Sequence, residues 1–381
     1  MTEATQARQG PLAGIRVLDF TALAPGPIAS LMLAEAGAEV IKVEPPGGEA
    51  MRSPPPAWGD LTALFALLNR GKRSLALDLK DEATLARLTP VLAKADVLLE
   101  GFRPGVMARL GLGYTSVKAI NPRIVYCAIT GYGQQGPKAL RAGHDLTYIA
   151  ETGLLALSTG ASDAPTVPPA LIADVLGGAY SAVAAIAMAL FRRERTGEGA
   201  FLDISMTGGL FLPMFWAWAQ GFASGHWPRS GAHMFTGSSP RYRCYVAADG
   251  RLIAVAALEE KFWAMFCAAI GLAEELRGDS AGPEAVITAV AVRIAAEPSA
   301  HWRVIFERAD CCVAVVTGLD EALADPQFAP LAKAATTRLG DRLIPGLPMP
   351  FASLLGEGGE TLVAPELGEA NAAFGFPPLP G

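Results

Sequence analysis

Histidine and cysteine are scarce in this 381-residue chain, with 4 His and 5 Cys. Cys127, Cys244 and Cys267 stand alone and Cys311 and Cys312 are adjacent. None has ligand spacing, a usage that fits reduced thiols in a cytoplasmic protein. No two histidines have metal-motif spacing, and His226 and His233 occupy a loop-like stretch without a nearby cysteine. A metal site is therefore not expected. Base is outnumbered by acid, giving a formal charge of −6 and a pI near 5.4. No basic stripe is available to displace phosphate counterions, so nucleic acid is not an expected partner. The first residues lack the apolar stretch of a signal peptide. One long run without Asp, Glu, Lys or Arg extends over 204–227, enough to span a bilayer by length. Gly208-Gly209, Pro213, Gln220-Gly221 and Ser224-Gly225 interrupt it. The expectation is a buried crossover that packs on a second subunit, with no membrane partner.

What the chain does contain is apolar sequence, 51% against 18% charged residues, enough for a large core split into two domains. Short β-rich runs alternate with helical patterns in the first half. Strands are expected over 15–20, 39–44, 74–79, 95–100 and 124–129, and their nearly continuous apolar character fits a parallel sheet covered on both faces. A helix over 28–36 follows the first strand. Asp174 precedes a long helix whose 17 uncharged residues run over 175–191, with Arg192 and Arg193 complementing the dipole. Beyond the crossover, 242–256 reads as a hairpin turning at Asp249-Gly250. Helices are expected over 260–270 and 282–295 and from Pro298, and 313–316 as a strand or a return toward the first domain. The Gly-rich acidic segment 356–360 is expected to be exposed.

The segment Arg141-Ala142-Gly143-His144-Asp145-Leu-Thr-Tyr148 and the later Leu171-Ile-Ala-Asp174 put an imidazole and a carboxylate on separate elements. Such a pair suits proton transfer at carbon, one group on each face; a buried structural histidine paired with a carboxylate is the bland alternative. Asp174 stands where an N-cap belongs, so its carboxylate could simply accept first-turn amides. Those amides could instead hold an oxyanion and leave Asp174 free to exchange a proton. Glu259 starts a helix after a strand and is equally suited to capping. Asn69-Arg70-Gly-Lys72-Arg73 and Gly101-Phe-Arg103-Pro-Gly105 set cations beside the expected carboxyl ends of strands, where phosphates bind or solvated charges sit. Gly131-Tyr-Gly133-Gln-Gln-Gly136 is a tight turn able to lie against a pantetheine arm. Thr21-Ala-Leu-Ala-Pro-Gly-Pro27 has the place of a dinucleotide fingerprint without its glycines, and Glu44 the place of its ribose acid, so NAD or FAD is not expected.

Taken together, Leu12-Ala-Gly-Ile-Arg-Val-Leu-Asp-Phe20, Ala24-Pro-Gly-Pro27, Gly37-Ala-Glu-Val-Ile-Lys-Val-Glu44, Asn69-Arg-Gly-Lys-Arg73, Phe102-Arg-Pro-Gly105 and Thr130-Gly-Tyr-Gly-Gln-Gln-Gly136 resemble the class III (CaiB/BaiF-type) CoA-transferase family. Gly143-His144-Asp145 and Glu259 are similar to its α-methylacyl-CoA racemase branch. The resemblance implies an α/β fold: a Rossmann-like large domain with a small inserted α+β domain, in an interlocked homodimer. Expected boundaries are 1–200 for the large domain, 201–232 for the crossover, 233–309 for the small domain and 310–381 for a return segment. It further implies acyl-CoA as substrate, with coenzyme A part of the substrate and no prosthetic group. CoA would be held by residues among Arg70, Lys72, Arg73, Arg103, Gly131, Gly133, Ala142, Gly143 and Asp145. The implied reaction is epimerisation of 2-methylacyl-CoA, with His144 and Asp174 exchanging the α-proton and Glu259 orienting His144. The alternative is transfer of CoA to a carboxylic acid through Asp174.

Overall fold

The computed structural model describes residues 10–53, 55–58, 61–158, 166–278, 281–349 and 361–379. Six strands build the main sheet: β1 (Arg16–Phe20), β2 (Glu39–Glu44), β3 (Arg73–Ala76), β4 (Val97–Glu100), β5 (Val125–Thr130) and β6 (Ala200–Ser205). All pair in parallel, in the spatial order β3-β2-β1-β4-β5-β6. The order reverses between β1 and β4, and ligands of such sheets bind outside the carboxyl ends at that point. Strands β4 and β5 are buried throughout, which is why they read as unbroken apolar runs. β6 was not expected as a strand. It lies at the edge, and its half-covered AFLDIS sequence alternates inward and outward residues, which reads as the start of a crossover.

One face of the sheet packs on helices Glu82–Leu92 and Tyr114–Ile120 through Leu18, Leu98, Tyr126, Leu88 and Val117. The other carries Pro25–Glu35 and the long element Ala173–Thr196. The helix Pro25–Glu35 buries eight of its eleven residues, so its sequence shows little of an amphipathic stripe. Ala173–Thr196 is long and apolar enough to cross a membrane by length and composition, but here it packs on the sheet. The uncharged 204–227 run breaks into the end of β6, a turn of helix at Met206–Gly209, and a ten-residue helix, Phe215–Ser224.

The chain divides into two compact units, one of residues 1–149, 170–212 and 326–381, the other of 150–169 and 213–325. In the second, β7 (Tyr242–Val246) and β8 (Leu252–Ala256) form the expected hairpin, and β9 (Val313–Val315) adds antiparallel to β8. Ile253 pairs with Val315, which holds that segment in the small sheet. Helices Glu260–Ala269, Pro283–Ala295 and Ser299–Ala309 close its core around Trp263, Phe266, Trp302 and Phe306. After Asp325 the chain re-enters the first unit as β10 (Thr336–Leu339), β11 (Arg342–Pro345) and β12 (Thr361–Val363), a small separate sheet. The Gly-rich segment 356–360 lies outside the described residues.

Candidate functional site

The cation cluster ahead of β3 is internal. Arg73 enters β3 at its amino end, away from the carboxyl ends where a ligand would lie, and its guanidinium bonds Glu39 at 2.8 Å and covers the Phe374 ring. The Arg70 side chain is fully buried, paired with Glu35 at 2.8 Å and donating to the carbonyls of Leu67 and Leu347. Lys72 is buried too, donating to Asn69 Oδ1 and the Pro27 carbonyl and lying 3.5 Å from Asp19. Burial pulls its ammonium down to about 7, against the attraction of Asp19. Burial alone would push the Asp19 carboxyl up, but Lys72, Lys42 and the hydroxyls of Ser30 and Thr21 outweigh it and hold the acid below its ordinary range. Each of these three cations has an acidic partner within the fold. Glu44 is likewise taken, accepting two bonds from Arg52, one from Ser74 and one from the Glu49 amide. It is no ribose acid.

A second group does converge, at the carboxyl ends of β4 to β6. Asp174 opens a π-helical stretch, Ala173–Tyr180, that runs into the helix Ser181–Thr196. It is not the N-cap; Ile172 is, and Asp174 lies inside the wide first turn. π-Helical stretches are uncommon and recur at functional sites. This one depends on close backbone contact, since a Cβ on Gly177 would fall 2.1 Å from the Met206 carbonyl oxygen and one on Gly209 2.6 Å from Gly177 Cα. The Asp174 amide donates to the buried carboxylate of Asp145 at 3.0 Å. Asp145 thereby has a structural partner, while the Asp174 carboxyl is left half-buried beside it. Burial first, and the like charge of Asp145 second, push the Asp174 pKa up to about 6; His144 acts in the opposite sense.

His144 caps the short helix Asp145–Glu151 through its backbone. Its carbonyl accepts from the Thr147 and Tyr148 amides, and its amide donates to Thr147 Oγ1. That leaves the imidazole exposed and within electrostatic reach of Asp174. Tyr148 fills the floor of the group. Its hydroxyl donates to the Gly143 carbonyl at 2.8 Å and its ring meets Tyr132 edge-on. Gly131 and Gly143 make room for it, because a Cβ at either would lie 2.4–2.7 Å from the Tyr148 ring or hydroxyl. Gly133 has φ of +85°, which favours glycine, and the next amide, from Gln134, reaches Asp203 at the end of β6. Burial and the Asp174 charge push the Tyr148 phenol up to about 12, with exposed Arg103 opposing. Arg103, on the loop after β4, and exposed Ala142 therefore border the same region. Glu259 belongs to the other unit. It is the exposed N-cap residue of Glu260–Ala269 and makes no side-chain cap bond.

Sequence reasoning passed over Tyr148 as a member of the site, although two glycines at 131 and 143 hint at a bulky neighbour. It also passed over Glu100, an acid closing an apolar strand. Burial pushes Glu100 up to about 7, with the Phe102 amide as its hydrogen-bond donor. Among the described residues no group of three or more His, Cys, Asp or Glu could hold a metal ion.

The sequence matches the model of CoA-transferase family III over residues 12–371. It is 35% identical to the acetyl-CoA:oxalate CoA-transferase of Acetobacter aceti over 98% of this chain and 97% of that one. It is 37% identical to the human α-methylacyl-CoA racemase over 82% of this chain and 79% of that one. The fold is similar to that of a CAIB/BAIF family protein from Brucella suis, with a TM-score of 0.81 at 28% identity, covering 96% of this chain and 98% of that one. Rv3272 from Mycobacterium tuberculosis is similar in the same way, with a TM-score of 0.80, 30% identity and coverage of 96% and 99%.

Proposed function

The chain belongs to CoA-transferase family III, and from that premise we propose that it moves coenzyme A from an acyl-CoA thioester to a carboxylic acid, with Asp174 as the carrier. The observation that carries this is the Asp174 carboxyl. It is half-buried, fixed through its own amide, and basic enough, at about 6, to be ionised yet poorly solvated at neutral pH. One Asp174 oxygen adds to the thioester carbon and expels the CoA thiolate, forming a mixed anhydride. The thiolate attacks the aspartyl carbonyl and releases the first acid. The resulting aspartyl-CoA thioester is opened by the second acid, and the thiolate then takes the new acyl group and frees Asp174. Likeness to an acetyl-CoA:oxalate CoA-transferase over nearly the whole of both chains supports this over epimerisation.

In this reading Arg103 meets a CoA phosphate, and the backbone of Gly131, Gly133 and Ala142 to Asp145 borders the pantetheine and thioester. A homodimer completes the site, bringing a second copy's small unit over Asp174. Epimerisation at the α-carbon is the second reading, favoured by one observation, the exposed His144 imidazole beside Asp174, and by likeness to the racemases. There His144 and Asp174 exchange the α-proton on opposite faces and Glu259 orients His144.

One incubation separates the two. A chiral 2-methylacyl-CoA is mixed with the enzyme in D₂O, with and without a second carboxylic acid. CoA transfer predicts a new thioester only when the acid is present, no α-deuterium, and complete loss in Asp174→Ala. Deuterium uptake with loss of optical purity, and no new thioester, would replace the first reading by the second.

A further inference from the structure

The small unit contains a cavity of about 320 Å³ whose lining includes none of His144, Asp174 and Glu259, although the Glu259 carbonyl accepts from the Trp263 amide in its wall. Arg241 and Arg277 line it with the Ser238 hydroxyl, and Trp263, Pro283 and Val286 form an apolar wall. We propose that this cavity binds a small organic monocarboxylate with an apolar body, such as a short-chain or aryl acid.

The charge balance points to a single negative charge. Arg241 is mostly buried, lies 5.1 Å from the Trp263 ring centre, and pairs with the exposed Glu260 at 2.8 Å. Arg277 directs Nε and Nη2 at one acceptor, the Leu272 carbonyl, at 2.9 and 2.7 Å. Among the described residues Arg277 has no carboxylate within ion-pair distance. Among the described residues, two guanidiniums against one carboxylate leave one positive charge at a half-enclosed site, and a guanidinium binds a carboxylate through paired N–H donors. The helix Pro283–Ala295 begins at the same wall, adding the positive end of a thirteen-residue dipole. Glu284, on its first turn, is exposed and does not line the cavity.

The apolar wall sets the class. Trp263 is 2% and Val286 4% exposed, so their packing is fixed, and Trp263 is held by a 2.7 Å bond from Nε1 to the Arg277 carbonyl. Inorganic phosphate would satisfy the arginines but leave that wall bare, whereas a carbon skeleton of a few atoms uses both. Such pockets lie at the small end of the range for ligand sites.

The test uses the full chain with benzoate as probe, followed by ligand-observed NMR and calorimetry at constant ionic strength. Saturable binding is expected in the parent and equally in Asp174→Ala. It should weaken tenfold or more in Arg277→Met, the loss typical of one charge-assisted contact, and in Ser238→Trp, which fills the cavity and leaves both arginines in place. Thermal unfolding checks each variant, and Ser238→Trp decides if Arg277→Met does not fold. Absence of saturable binding, or affinity unchanged in both cavity variants, overturns the site. Loss confined to Asp174→Ala assigns benzoate to the reaction site and also overturns it. Equal competition by inorganic phosphate and hexanoate overturns the class. None of these results bears on whether the enzyme transfers CoA.

Discussion

Ionising Asp174 costs folding free energy, because burial and the neighbouring Asp145 hold its pKa near 6 in the folded chain. A carboxyl whose folded pKa lies above its unfolded value favours folding while protonated. That contribution is complete below about 4, is lost as pH rises through about 6, and amounts to at most about 3 kcal/mol. Asp174→Asn should therefore unfold at a higher temperature than the parent at pH 8, the gap closing by pH 4, while activity disappears. Thermal scans at three pH values check this. The neighbours act with opposite sign on the same group. Asp145→Asn removes a like charge and should move the acid limb of the kcat profile down in pH. His144→Gln removes the opposing influence and should move the limb up. If both substitutions moved it the same way, the electrostatic account of the site would be wrong.

The π-helical stretch explains why the site was only partly legible. Asp174 stood out in the sequence because a carboxylate precedes an uncharged run, and Asp249-Gly250 announced its hairpin by turn chemistry alone. The widened turn that removes Asp174 from the N-cap was invisible, since it arises from contact between Gly177 and the Met206–Gly209 turn, thirty residues apart. Adding a methyl group there should be expensive. Gly177→Ala is expected to cost about 1–3 kcal/mol by overpacking, and to lower kcat in the protein that remains folded, because the π turn and Asp174 must shift together. Equilibrium unfolding and single-turnover rates measure the two effects. The surroundings of the cations of 70–73 were hidden for a related reason. A basic run before a strand looks the same whether it faces solvent or, like Lys72, reaches into a buried cluster with Asp19, Lys42 and Glu49. Only tertiary pairing tells them apart.

At the scale of the molecule, the crossover leaves large apolar side chains uncovered within one chain. Leu212 is 79% exposed, Phe215 68%, Phe222 71% and Trp227 56%. Surfaces of this kind mark protein contacts. We predict a homodimer that withstands dilution in light scattering, and a Phe222→Asp variant that sediments as monomer or aggregate and loses activity with the dimer. A parent chain that stays monomeric across the concentration range would remove the second copy from the proposed site. The large unit takes in residues 326–381 besides 1–149 and 170–212.

That closure has a consequence in time. The Ala76 amide and carbonyl at the end of β3 are both satisfied by the Asn371 side chain, the Ser74 carbonyl by the Ala370 amide, and the Val363 carbonyl by the Gly71 amide. A ribosome making this chain finishes the small unit first and exposes the outer edge of the main sheet until those residues emerge. From the end of β6 at Ser205 to Asn371 is 166 residues, so at roughly 5–20 residues per second that interval lasts about 8–33 s. An open strand edge is then available to any other nascent chain, so the yield of folded enzyme is expected to depend on how quickly the segment from Val363 to Asn371 is translated.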